Sequence, residues 1–142
     1  MGMRPEALKG SGRGQTRFGH VDYRLARNSV VSEFRKGRLS RLDVCDAHPE
    51  LLRAAANVGD ESQEDCPICE EAKLKLVSYA FGARLGPAGV CVNSSQQVTK
   101  LAATAGEITC YVVEVCPSCA WNHLAGRFLV TSSRSNRRRS GP

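Results

Sequence analysis

Two matching quartets, Cys66-Pro67-Ile68-Cys69 and Cys116-Pro117-Ser118-Cys119, hold four of the seven cysteines of this 142-residue chain. Thiols two residues apart can aim both sulfurs at one ion, and the proline helps to hold the turn between them. Two such pairs supply four thiolates, the closed tetrahedral shell of a structural zinc site. A single C-x-x-C is shared between metal binding and thioredoxin-like redox chemistry. Two of them, with no βαβ pattern ahead of either, favour zinc over a disulfide or a redox pair. The expected cofactor is therefore one zinc ion, with Cys66, Cys69, Cys116 and Cys119 as its ligands.

Other residues compete for the role. Cys45-Asp46-Ala47-His48 is a rival half-site, because C-x-x-H followed by C-x-x-C also makes four ligands. That pairing leaves Cys116 and Cys119 without a task, and Pro49 makes His48 an ordinary helix-cap residue. Cys91 and Cys110 sit among strand formers and read as buried free thiols. His123 is either a partner behind the ligands or a partly exposed histidine, and His20 carries no signal. Trp121, two residues past Cys119, either covers the second knuckle, with its indole N–H on a carbonyl or in solvent, or stands on the surface as a binding anchor. An enzyme is disfavoured, and no catalytic residue is assigned. A four-thiolate shell leaves no position at which to activate water. Gly82-Ala83-Arg84-Leu85-Gly86 lacks the Gly-Lys-Ser/Thr end of a phosphate loop, and no nucleophile elbow or paired-carboxylate motif occurs.

The elements that must position these residues read as follows. Residues 1–19, with Gly10-Ser11-Gly12-Arg13-Gly14, are expected to form a disordered basic arm. Tyr23, Ala26, Val30 and Phe34 recur at helical steps, and Gly37 ends that helix. Ser40 and Asp43 cap a short turn, and a further helix starts at Pro49 and stops at Gly59. Residues 20–59 thus form a helical amino-terminal region. Asp60 to Asp65 is read as a polar linker. Lys73 to Ala80 alternates as a strand, Val90 to Val92 is a short one, and Ile108 to Val115 is the clearest. Ser94 or Ser95 caps a helix carrying Val98, Leu101, Ala102 and Ala105, and Trp121 to Val130 returns. Residues 60–130 form the cysteine-bearing β module, and residues 131–142 a disordered Arg-rich tail. The fold class is α+β.

Charge narrows the partners. Residues 1–41 carry a net +7, residues 42–126 a net −6 and residues 127–142 a net +5. Arg24, Arg27, Arg35 and Arg38 fall within an arc of about 80° on the first helix, at 100° per residue. The strip is read either as a solvated flank or as a contact for nucleic acid. No stretch has the length of a membrane span, and no apolar leader follows Met1. The expected compartment is a reducing cytoplasm, where paired cysteines hold metal more often than they form disulfides. Three functions stay open: a non-enzymatic adaptor docking on nucleic acid or a nucleoprotein complex, a protein–protein module, and a thiol redox sensor.

The two knuckles and their adjoining strands, over roughly residues 64–130, resemble a zinc ribbon. That resemblance implies structural zinc and a surface that binds protein or nucleic acid. Forty-six residues separate Cys69 from Cys116, more than a ribbon hairpin needs, so the helix near 95–105 would be an insertion. The longer run from Val21 to Val130 resembles an uncharacterised actinobacterial family with a domain of unknown function. The stretches that carry this are Val44-Cys45-Asp46-Ala47, Leu51-Leu52-Arg53-Ala54-Ala55, the first knuckle, and Tyr111-Val112-Val113-Glu114-Val115-Cys116 through Trp121-Asn122-His123-Leu124. This second resemblance implies no activity, and for partners only a link to envelope synthesis.

Overall fold

The computed structural model describes residues 15–132. Its centre is β5 (Glu107–Val115), in which Ile108, Cys110, Val112 and Glu114 are buried and alternate with half-buried Thr109, Tyr111 and Val113. Strict alternation sends the two sets to opposite faces of a sheet. β3 (Lys73–Gly82) pairs antiparallel along one side, Lys75 facing Val115 and Gly82 facing Ile108. β6 (Asn122–Ser132) pairs along the other, with a bulge opposite Val112 and Val113. β1 (Gln15–Asp22) adds beyond β6, and β2 (Asp60–Asp65) and β4 (Val90–Val92) divide the outer edge of β3. The result is one antiparallel sheet of six strands.

Helices cover both faces. α4 (Ser95–Ala105) starts at Ser94, whose hydroxyl accepts from the Gln97 N–H at 3.2 Å, and ends at Gly106 with φ of 90°. Its Val98 and Ala102 pack on Ile108, Cys110, Val112, Phe128 and Val130. α1 (Arg24–Arg35) lies at the knuckle end of that same face, where Val31 joins Leu74 and Trp121. α2 (Arg41–Val44) is a single turn closed by a Ser40–Asp43 capping box. α3 (Pro49–Val58) covers the knuckle end of the opposite face, with Ala55 against Val77 and Val115.

Three boundaries differ from the sequence reading. Residues 15–19, expected within a disordered arm, and residues 20–22, expected in the helical region, belong to β1. The Gln15 side chain is buried and donates to Thr99 Oγ1 at 2.7 Å and to the Ser95 carbonyl at 3.2 Å. Arg17 lies over the Phe128 ring at 5.1 Å. The remainder of that arm lies outside the described residues. Thr131 and Ser132, expected in the tail, complete β6 and are buried; the rest of the tail also lies outside the described residues. Asp60 to Asp65 is an edge strand rather than a linker. Its polar sequence has little strand propensity, but Lys73 fastens it by donating to the Gln63 carbonyl at 3.2 Å and bridging Asp65 at 2.9 Å.

Candidate metal centre

Each cysteine quartet forms the turn of a hairpin. The first joins β2 to β3, the second β5 to β6, and the antiparallel pairing of β3 with β5 brings both turns to one end of the sheet. The two turns share one backbone pattern. Cys66 N–H donates to the Ala72 carbonyl, and Glu70 N–H returns to the Cys66 carbonyl; Cys116 N–H donates to Trp121, and Ala120 N–H returns to Cys116. The residue after each second cysteine takes the left-handed conformation, Glu70 at φ 58° and Ala120 at φ 75°. Few non-glycine residues do so, and here the reversal turns both chains back into strands.

Cys66, Cys69, Cys116 and Cys119 place their four sulfurs within 4.8 Å of one another. The Cys66–Cys119 and Cys69–Cys116 separations are both 3.7 Å. A tetrahedron with metal–sulfur bonds of about 2.3 Å has sulfur–sulfur edges of about 3.8 Å. The four cysteines therefore fit a tetrahedral, thiolate-bound metal ion, whereas a disulfide needs about 2.0 Å. Backbone N–H groups of Ile68 and Ser118 point at Cys66 and Cys116 at 3.4 and 3.3 Å, and that of Glu71 at Cys69 at 3.5 Å. Such donors favour the thiolate form. Burial works the other way, pushing the Cys66 thiol up to about 11 and the Cys119 thiol up as well. Four clustered thiolates would need a cation to be tenable here.

The surroundings close the cluster on one side. Cys66 and Cys116 are buried among Val31, Val44, Ile68, Leu74 and Trp121. Trp121, the only tryptophan, is 1% exposed, so it packs against the knuckles and is not a surface anchor. Its indole N–H goes to neither carbonyl nor solvent: it donates to Glu114 Oε2 at 2.7 Å. The same oxygen accepts from Arg27 Nε at 2.9 Å. The sequence did contain a signal for this, an acid at an inward position between Val113 and Val115. His123 stacks on Trp121 at 6.0 Å.

Cys45 contributes a fifth thiol. Its Sγ lies 3.4 Å from Cys119 Sγ, so it belongs with the four-cysteine cluster and not with His48. His48 caps α3, its Nδ1 accepting from the Glu50 N–H at 3.0 Å. Cys45, Cys69 and Cys119 are half-buried and line, with Arg41, Leu42, Glu71 and Ser118, a depression of about 290 Å³ that opens the cluster to solvent. Cys110 is buried and Cys91 half-buried, both distant from this group in the sheet.

The arginine strip does not survive as a free surface. Arg27 is 8% exposed and held by Glu114, because its position on α1 faces the sheet. Arg24 forms a two-pronged pair with Glu64 at 2.7 and 3.2 Å, and this bond leads the causes that draw the Glu64 carboxyl down. Arg38 pairs with Glu33 at 3.1 Å. Arg35 stays exposed, together with Lys36 and Arg41 around the end of α1 and the start of α2. Elsewhere, the part of the sheet that α3 leaves open has Tyr79, Phe81, Thr109, Tyr111, Val113 and Leu124 around a shallow depression of about 520 Å³. No helix among the described residues is long and apolar enough to cross a membrane.

A model for a family of unknown function (DUF5318) matches residues 14–141. Uncharacterised proteins of Mycobacterium tuberculosis and Mycobacterium bovis are 40% identical over 117 residues, 82% of this chain and 85% of each relative. No solved structure matches the chain significantly.

Proposed function

This chain belongs to the DUF5318 family of unknown function, and from that premise we propose a non-enzymatic, zinc-stabilised adaptor that docks on nucleic acid or a nucleoprotein complex. The observation that carries it is the cluster of four sulfurs within 4.8 Å of one another, two of whose edges are 3.7 Å, a spacing that suits a four-thiolate zinc shell. Such a shell holds structure together and offers no site for activating water. Here it would join the two hairpin turns on which the α1–α2 segment packs, in the manner of a zinc ribbon with α4 inserted. Arg35, Lys36, Arg38 and Arg41 stand exposed on that segment, and Arg35 and Lys36 border Pro67 of the first knuckle. This revised basic cluster is where phosphates would bind.

Elemental analysis of the purified protein should give one zinc per chain, and Cys116→Ser should lose it. Binding to duplex DNA and RNA should then be measured across a salt series. Each cation that meets a phosphate contributes roughly one unit to the slope of log affinity against log salt. Replacing Arg35, Lys36 and Arg41 with Gln should reduce the slope by about three for that reason, with zinc content unchanged. A zinc-loaded protein without affinity for either nucleic acid at low salt would replace this reading with a protein–protein module.

A further inference from the structure

Five thiols gather where a tetrahedral ion uses four. Cys45 is the surplus one: its sulfur stands 3.4 Å from Cys119, closer than the ligand edges of 3.7 Å, yet well beyond a disulfide bond. Access is not shared equally among the five. Cys66 and Cys116 are buried, whereas Cys45, Cys69 and Cys119 face the 290 Å³ depression beside the exposed Arg41. A small oxidant therefore reaches the centre at Cys69 and Cys119, and of these two it is Cys119 that stands directly beside the thiol not needed for the metal.

We propose that Cys45 and Cys119 form an oxidation site for hydrogen peroxide or an organic hydroperoxide, and that its disulfide releases the zinc. The inference rests on the zinc reading above. In the first step the Cys119 thiolate attacks the terminal oxygen of the hydroperoxide. The O–O bond breaks, a sulfenic acid forms on Cys119, and the departing alkoxide (hydroxide for hydrogen peroxide) takes the proton of Cys45. In the second step the Cys45 thiolate attacks the Cys119 sulfur, the S–S bond forms and hydroxide leaves. Two sulfurs lose two electrons and the peroxide gains them. Zinc is left with Cys66, Cys69 and Cys116, an incomplete shell. The sulfurs must close from 3.4 Å to about 2.0 Å, a movement that the half-buried position of Cys45 on the loop after α2 permits.

The test uses the full chain, with zinc content measured first. Hydrogen peroxide is then added, and free zinc is followed with a chromogenic chelator. After alkylation and tryptic digestion, residues 42–53, which contain Cys45 as their only cysteine, should appear joined to residues 101–127, with fragmentation placing the bond at Cys119. Thiol reductant plus zinc should restore the starting protein. Cys45→Ser should bind one zinc and release it severalfold more slowly under peroxide. Cys45→Ala serves the same purpose if the serine variant folds poorly. Zinc bound at the outset but released equally fast from both Cys45 variants, or a bond mapped within either knuckle, would overturn the oxidation site alone. Protein that never contains zinc would overturn it together with the zinc reading.

Discussion

Glu70 and Ala120 occupy equivalent places just beyond the second cysteine of each knuckle, both at positive φ. A Cβ in that region clashes with the neighbouring carbonyl, at a cost of roughly 1–2 kcal/mol. The turns keep the conformation because Glu70 and Ala120 N–H groups close onto the carbonyls of Cys66 and Cys116. Ala120→Gly should therefore stabilise the metal-loaded protein. Glycine's greater freedom in the unfolded chain offsets part of the gain, so the net is expected at about 0.5–1 kcal/mol. Ala120→Val should act in the opposite direction, since a β-branched residue tolerates this region worst. Thermal unfolding at fixed excess zinc reads both, and an unchanged midpoint in Ala120→Gly would mean that the knuckle is not strained. At this scale the ligand set was legible because both pairs are local in sequence. Cys45 was legible only as a thiol near His48, since its approach to Cys119 spans 74 residues and depends on how α2 docks.

α1 is tied to the sheet by a chain of charges. Arg24 holds Glu64 of β2, Arg27 holds Glu114 of β5, and Glu114 in turn holds the Trp121 indole behind the second knuckle. The side chains of Arg27 and Glu114 are 10% and 5% exposed, so neither charge is well solvated without the other. Glu114→Gln keeps the shape and still accepts from Trp121, but it leaves the buried Arg27 guanidinium with only the longer 3.8 Å contact to Glu64 as a charge partner. Breaking a buried pair from one side costs about 3–5 kcal/mol, and that remaining contact places the cost toward the low end of the range. Arg27→Met alone should also destabilise, and the double variant should recover much of the loss, giving a large coupling in denaturant unfolding. Simple additivity would show that the pair does not act as a unit. This network explains why the four arginines do not share one free face. Helical periodicity placed Arg27 beside the apolar stripe, but only the tertiary position of Glu114 decides that it points inward. Periodicity was reliable where each element carries its own pattern, as in β5 and α4. It failed for β1 and β2, whose polar sequences become strands only because a neighbouring edge accepts them.

For the whole molecule, the knuckle end and the α4 end of the sheet are built differently. The α4 end has a packed apolar cluster of its own, including Val98, Ile108, Val112, Phe128 and Val130. The knuckle end groups five thiols with a smaller set of apolar residues. Structural zinc contributes about 10–16 kcal/mol of apparent binding energy near neutral pH, comparable to the whole stability of a domain. Protons would compete for the same thiolates, so zinc affinity is expected to fall as pH falls. Burial strengthens that competition by raising the Cys66 and Cys119 thiols. Glu64 contributes a separate acid sensitivity. Its carboxyl is drawn below its ordinary value of 4.5, chiefly by the Arg24 hydrogen bond. Stability from that pair is therefore present above the ordinary value and is lost as pH falls through the lower, folded one. The two origins separate by mass action. Acid unfolding is followed by Trp121 emission, which should move to longer wavelength as the buried ring meets water. If zinc release drives the transition, its midpoint moves to lower pH as total zinc increases, because a ligand of the native state stabilises it in proportion to the logarithm of its concentration. Glu64→Gln should leave that zinc dependence intact. A midpoint indifferent to zinc would place the acid sensitivity in the carboxylates and leave the four-cysteine cluster without a structural metal.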